Sequence, residues 1–176
     1  MSEAALAAVS LGSRTLAAAL VAAAAAYVGN RLTRRLIGKT AIVFVAPGLE
    51  ESFKTGAALV LGAPVLAAHV AFGVVEAAYD LLAGRRRTRS DRAPSPVHRP
   101  SPASTGTPPS TGTRPGRRMG AAAAGLCGHA LFGVLTVLIA AALVSWPLGV
   151  GAAYLAHVGW NALVVGRAKG EMGTGR

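Results

Sequence analysis

The chain has 176 residues, of which 52% are hydrophobic and 14% are charged, against roughly 25% charged residues in an average soluble domain. A soluble globular fold is therefore disfavoured, and the single cysteine excludes both an intrachain disulfide and a cysteine-based zinc motif. The formal net charge of +11 would suit nucleic acid if the basic residues shared one face. They lie between apolar stretches instead, so we predict no nucleic-acid partner.

Five apolar stretches follow one another along the chain, and each is long enough to cross a bilayer, which takes about 20 residues. The predicted spans are an Ala-rich stretch at 16–28 extended upstream, then 40–62, 64–83, 119–145 and 148–165. Breaks at Gly62-Ala-Pro64 and Trp146-Pro147 permit tight turns. We predict an all-α, polytopic transmembrane helical bundle of about five spans, forming one membrane-embedded domain over residues 1–167.

Two segments differ from these stretches in composition. Residues 84–118 are rich in Arg, Pro, Ser and Thr and cannot bury enough apolar surface to fold, which predicts a disordered cytoplasmic loop between spans three and four. Residues 168–176 are predicted to form a cytoplasmic tail. The Arg85–Arg92 run within the loop is a candidate contact for anionic lipid headgroups.

The basic residues predict an orientation. Sixteen of the 18 lysines and arginines lie in three segments, which are 31–39, 84–118 and 167–176. Because cytoplasmic loops hold the excess of lysine and arginine, we predict a multi-pass protein of the cell membrane with its N-terminus outside and its C-terminus inside.

Several predicted spans contain ionisable residues, each of which costs roughly 2.5–3.5 kcal/mol at a helix centre. At 1.5 Å per residue, Glu50, His129 and His157 each lie about 15 Å into their spans, so they are expected to meet near the midplane. Adjacent carboxylates at Glu50 and Glu51 beside two imidazoles suit either a general base acting on water or a set of metal ligands. The residues alone leave both chemistries open.

Four short motifs fall on four separate predicted spans. They are, in chain order, Glu50-Glu51-Ser-Phe-Lys54, Phe72-Gly-Val-Val-Glu76, Gly128-His129-Ala-Leu-Phe132 and His157-Val-Gly-Trp-Asn161. In this order they resemble the EExxK, FxxxE, histidine and HxxxN motifs of the PrsW family of intramembrane proteases, distant relatives of CAAX-processing and Abi-type membrane proteases. The resemblance covers about residues 46–161, and Ala77 departs from it at a position where the family often has Asn.

The resemblance implies an intramembrane peptidase that hydrolyses peptide bonds in or near the bilayer, in regulated proteolysis of membrane proteins. Its partner would be a membrane-protein or peptide substrate. It implies that Glu50 and Glu51 activate the attacking water, and that His129 and His157 hold this water or stabilise the oxyanion. The expected supporting residues are Lys54, Phe72, Glu76 and Asn161.

The motifs do not decide whether a metal is bound, because both a zinc mechanism and a glutamate mechanism without metal fit them. Zinc is the candidate cofactor, and if a metal is bound we predict Glu76, His129 and His157 as its ligands. We expect a packing or supporting role for His69, which matches no motif, and a buried inert thiol for Cys127.

Two other functions compete with the peptidase. A catalytically inactive homologue would keep the fold and act as a binding or immunity factor. A small transporter or proton relay would also place Asp, Glu and His within spans, and Pro47-Gly48 is a candidate for the helix interruption that such proteins carry.

Overall fold

The structure is a computed structural model that describes residues 2–38, 40–90 and 115–173. Over these ranges the chain forms five α-helices and no strand, which confirms the predicted all-α class for this part of the protein. The helices are α1 (Glu3–Ile37), α2 (Thr40–Leu61), α3 (Val65–Ser90), α4 (Pro115–Leu143) and α5 (Trp146–Gly173).

Helix α1 is longer than the predicted first span. The segment 31–39, predicted to be a basic loop, is helical through Ile37. Arg34 and Arg35 lie in the last turn, where positive charge interacts favourably with the negative end of the helix dipole. The helix ends at Gly38, which has φ 75° and donates its N–H to the Arg34 carbonyl, while Lys39 lies outside the described residues.

The predicted disordered loop at 84–118 is helical at both ends, because α3 continues to Ser90 and α4 begins at Pro115. Proline suits the first helical position, where its missing N–H costs no hydrogen bond. The rest of the loop and the Arg85–Arg92 side chains lie outside the described part of the structure. The predicted tail at 168–176 is likewise helical through Gly173, where α5 ends. Residues 174–176 lie outside the described residues.

The two hairpin turns share one geometry. Gly62 has φ 62°, and the following residue, Ala63, donates its N–H to the carbonyl five residues back, that of Ala58. In the second hairpin Val144 has φ 48°, and Ser145 donates its N–H to the carbonyl of Ala140 in the same way. A left-handed residue followed by this bond caps the last carbonyls of a helix, so both breaks inferred from the sequence are helix ends of one type.

Four of the helices pack as a ring, and the remaining helix, α1, packs against two of them. Helices α2, α3, α4 and α5 each pack against the next, α5 also packs against α2, and α1 packs against α2 and α3. The buried apolar positions are mainly alanines, whereas large apolar side chains such as Val60 and Leu155 are exposed. Small residues at helix contacts with apolar side chains outside are the pattern of helices packed in lipid, where small residues allow backbones to approach.

Within the described residues, three helices are long and apolar enough to cross a membrane. They are α1, the part of α3 at 65–83 and the part of α4 at 119–143. Helix α2 has a similar length but contains Glu50, Glu51 and Lys54, which it buries within the ring.

The contact between α4 and α5 gives a test of this packing. A Cβ added at Gly149 would overlap the carbonyl oxygen of Thr136, which as a backbone atom cannot move alone, whereas a Cβ at Gly151 meets nothing within 4 Å. We expect Gly149→Ala to destabilise the fold by about 1–3 kcal/mol because the helices must separate. Gly151→Ala, in the same helix, is the matched control and should be neutral or stabilising; equal thermal stability of the two variants in detergent would contradict the packing.

Candidate active site

The structure brings the polar residues of four helices together inside the ring. Helix α2 contributes Glu50, Glu51 and Lys54, and helices α3, α4 and α5 contribute Glu76, His129 and His157 respectively. Glu51 and Lys54 are completely buried, and His129 and His157 are 4% and 6% exposed. The meeting of these side chains in one place agrees with the depth estimate, while their chemical roles remain predictions.

A buried ion pair lies at the centre of this cluster. Lys54 Nζ donates to Glu51 Oε1 at 2.6 Å, one turn away on α2. His157 Nδ1 lies 3.0 Å from the same oxygen. The Lys54 ammonium also lies 4.7 Å from the centre of the Phe72 ring, which gives this predicted supporting residue a direct contact with the cation.

The same lysine fixes the protonation of His129. Lys54 Nζ lies 3.1 Å from His129 Nδ1, and an ammonium can only donate, so Nδ1 must be the acceptor. The proton of a neutral ring then sits on Nε2, which donates to Glu76 Oε2. Edge-on contact with Phe72, at 5.2 Å between ring centres, holds the imidazole in this orientation.

His157 is held in the opposite tautomer. Its Nδ1 carries the proton that it donates to Glu51, so Nε2 of the neutral ring is free of hydrogen and lies 3.9 Å from Glu50 Oε2. Its ring stacks on Phe132 with 4.6 Å between centres. A neutral imidazole held on one side by a carboxylate offers its other nitrogen as a hydrogen-bond acceptor or base.

A cavity of about 370 Å³ opens beside these groups. Its lining includes Glu50, Glu76, His129, His157 and Asn161. Glu51 is not among the lining residues and lies behind His157, with no exposed surface. The two adjacent glutamates therefore have different surroundings, since one faces the cavity and the other faces the ion pair.

Sequence reasoning missed Asn30, which α1 places at the edge of this cavity. Its amide Nδ2 donates to Glu50 Oε1 at 3.0 Å and so orients the carboxylate. No sequence signal pointed to this residue, because α1 lies outside the region of the motifs. The contact makes the first helix part of the site.

His69 and Thr55 complete the polar interior. His69 Nε2 lies 3.2 Å from Thr55 Oγ1, and its Nδ1 lies 3.6 Å from Glu51 Oε2. Neither His69 Nδ1 nor Glu51 Oε2 has a hydrogen-bond partner among the described residues. His69 therefore contacts the second oxygen of the buried glutamate, in agreement with the supporting role expected for it.

A repeat in the sequence marks His69 as the counterpart of His129. His69-Val-Ala-Phe72-Gly73 on α3 and His129-Ala-Leu-Phe132-Gly133 on α4 have the same spacing. A Cβ at Gly73 would lie 3.1 Å from His129 Cβ, and one at Gly133 would lie 2.7 Å from His69 Cβ. Each histidine therefore packs on the glycine of the other motif, and this repeat is the signal that could have placed His69 in the site.

A metal ion can be tested against these positions. Glu50, Glu76 and His129 each have an atom that could bind a metal, and these three atoms lie within 4.8 Å of one another. The predicted set was Glu76, His129 and His157, so Glu50 takes the place of His157. Two carboxylates and an imidazole are donors that zinc accepts. However, His129 would have to bind through Nε2, which moves its proton to Nδ1 against the Lys54 ammonium. The donors fit in type and spacing, but the hydrogen bonding opposes a metal.

Cys127 corrects one expectation. The thiol predicted to be buried is exposed, on the side of α4 away from its neighbour His129, which is buried. Residues two apart on a helix face different directions, so burial of one argues against burial of the other.

Comparison of the chain with protein-family models, with curated proteins and with solved structures finds no match in any of the three.

The ion pair generates a prediction for stability. Lys54→Met leaves Glu51 as an uncompensated buried charge, and we expect it to destabilise the fold by about 3–5 kcal/mol. The double variant Lys54→Met/Glu51→Gln removes both charges and should recover much of this loss. Thermal unfolding in detergent measures both effects, with the exposed Arg14→Met as control. A double variant no more stable than Lys54→Met would contradict the pairing.

Proposed function

We propose that the protein is a membrane-embedded peptidase of the PrsW type, with all five helices crossing the bilayer. The three apolar helices support this placement, and the ring needs α2 and α5 to close around its polar interior. The single observation that carries the proposal is the cavity bounded by Glu50, His129 and His157, with a buried ion pair behind it. A lone structural ion pair would need no such cavity.

Different roles follow for the two glutamates. Glu50 faces the cavity and is oriented by Asn30, which suits a general base. Glu51 holds His157 and Lys54 and is a positioning residue. A water between Glu50 Oε2 and His157 Nε2, which are 3.9 Å apart, would lie within hydrogen-bonding distance of both.

The reaction proceeds from this water. Glu50 takes a proton as the water oxygen attacks the carbonyl carbon of the substrate, and a donor at the cavity wall stabilises the negative charge on the carbonyl oxygen. The amide of Asn161 is the candidate donor, because the Nε2–H of His129 already donates to Glu76. Protonated Glu50 then returns the proton to the departing amine as the carbon–nitrogen bond breaks.

The transporter alternative loses one of the two features that favoured it, the helix interruption. Helix α2 is continuous from Thr40 to Leu61, and Pro47 lies within it, so Pro47-Gly48 does not unwind the helix. Gly48 packs against the ring of Tyr154, where a Cβ would lie 3.5 Å from the aromatic carbons. The inactive homologue shares every structural feature of the enzyme and is distinguished by activity alone.

The orientation has its own test. In a Cys127→Ala background, Ser2→Cys should react with a membrane-impermeant thiol reagent applied to intact cells, and Thr174→Cys should react only after lysis, because the basic segments stay inside. The reverse labelling pattern would overturn the N-out, C-in arrangement, and reaction of both sites in intact cells would contradict five spans.

Catalysis is tested with the purified protein and candidate single-span proteins from the same membrane. We expect Glu50→Gln to lower kcat by at least about 100-fold, because it removes the base without changing size. Glu3→Gln, outside the cluster, should have no effect. A zinc chelator should leave the wild-type rate unchanged. Equal rates for wild type and Glu50→Gln would contradict the assigned role, and loss of activity with the chelator would show that a metal is required.

A further inference from the structure

A second, larger cavity adjoins the first. It has a volume of about 770 Å³ and lies between α1 and α3. From α1 it is lined by positions 23, 26, 27, 30, 31, 34 and 35, and from α3 by positions 72, 75, 76, 79 and 80. These spacings of three and four residues place one face of each helix along the cavity, which we call the α1–α3 groove.

The groove is apolar at one end and positively charged at the other. One end is apolar, with Ala23, Ala26, Phe72 and Val75. The middle contains the edge-on pair Tyr27 and Tyr79, whose ring centres are 6.4 Å apart, together with the Asn30–Glu50 hydrogen bond. The other end carries three exposed guanidinium groups, those of Arg31, Arg34 and Arg35.

The groove and the catalytic cavity are continuous. Asn30, Arg34, Glu50, Glu76 and Asp80 line both of them. A molecule lying in the groove would therefore pass directly beside Glu50, the proposed base. The adjacent segment of the same molecule would contact the arginines.

We propose that the α1–α3 groove binds the substrate as an extended peptide segment, with an acidic residue of the substrate paired to Arg34 and its neighbours. The proposal rests on the proposed function and names its substrate class, a membrane-protein segment with a carboxylate close to the scissile bond. Within the described residues none of the three arginines has a carboxylate within 4.0 Å, so the substrate supplies the missing anion.

The polar groups in the middle of the groove favour a peptide over an acyl chain. A peptide backbone offers N–H donors to the Glu76 and Asp80 carboxylates and carbonyl acceptors to the tyrosine hydroxyls. An acyl chain offers neither, and where it covered Asp80 and the tyrosine hydroxyls it would leave them without the hydrogen bonds that they make to water. A lipid phosphate would satisfy the arginines alone.

The geometry also gives the position of the acidic residue. Arg34 lies one turn beyond Asn30 on α1, about 6 Å along the axis. An extended peptide advances about 3.3 Å per residue. The carboxylate therefore belongs about two residues from the carbonyl beside Glu50, on the arginine side, which the proposed topology places towards the cytoplasm.

Binding is measured without turnover, in proteoliposomes of neutral phosphatidylcholine. The protein carries Glu50→Gln, which removes the proposed base without changing the size of the side chain, to block hydrolysis. The probes are fluorescent peptides with a 20-residue Leu/Ala span and a cytoplasmic flank of Asn, in which one position at a time from the middle of the span to the flank is Asp or Lys. We expect Asp at a position about two residues to the cytoplasmic side of the residue beside Glu50 to strengthen binding about five- to tenfold relative to Lys at low salt.

Charge reversal at the protein gives the decisive comparison. Arg34→Glu should invert the preference so that Lys binds more tightly than Asp, and the uncharged Arg34→Gln should bind both equally. Arg14→Glu, remote from the groove, should keep the wild-type preference. An unchanged preference in Arg34→Glu would overturn the proposal. The proposal would also be overturned if neither the wild type nor any variant distinguished Asp from Lys and added phosphatidylglycerol displaced every peptide. The groove would then hold lipid.

These outcomes are separate from those of the peptidase test. Inversion by Arg34→Glu together with no hydrolysis by the wild-type protein would support the groove and overturn the peptidase. Hydrolysis that depends on Glu50 but not on the charge of the substrate flank would support the peptidase and overturn the groove.

Discussion

The buried ion pair between Lys54 and Glu51 is the interaction on which the rest of the site depends. Burying two charges costs several kcal/mol per ion unless each is paired and hydrogen-bonded. Here the glutamate also accepts from His157, and the ammonium also reaches His129 and the face of Phe72. Because the lysine can only donate and the glutamate can only accept, the pair assigns a tautomer to each histidine. The two imidazoles then differ, because Nε2–H of His129 donates to Glu76 whereas Nε2 of His157 is left as an acceptor beside the cavity.

Close helix packing places these groups within reach of one another. Gly73 and Gly133 bring α3 and α4 together around two histidines, and Gly149 brings α5 against α4. Alanines fill much of the remaining interior, and the larger apolar residues lie outside. The bundle is therefore arranged for an apolar surrounding, with its polar groups inside. In such a setting electrostatic interactions among the buried polar groups are stronger than they would be in water.

The sequence was sufficient for the helices and for the set of residues that meet, because apolar runs, turn residues and depth along each span are local properties. It was not sufficient to separate Glu50 from Glu51. Adjacent residues differ by about 100° around a helix, so the one that faces the cavity depends on how α2 is rotated against its neighbours. Asn30 was missed for a similar reason, since its role exists only because α1 packs against α2. The helical ends of the Arg-rich loop do not follow from its composition, because an Arg- and Pro-rich segment gives no local sign that α3 and α4 continue into it.

The Lys54–Glu51 pair therefore sets the tautomers of both histidines, while Glu50 and His157 face the cavity. Solid-state NMR of the ¹⁵N-histidine-labelled protein in lipid measures this directly, with His129→Asn and His157→Asn used to assign the signals. We expect His157 to be protonated at Nδ1 and bare at Nε2, and His129 to be bare at Nδ1 and protonated at Nε2. The reverse tautomers, or a metal-bound Nε2 at His129, would contradict this assignment.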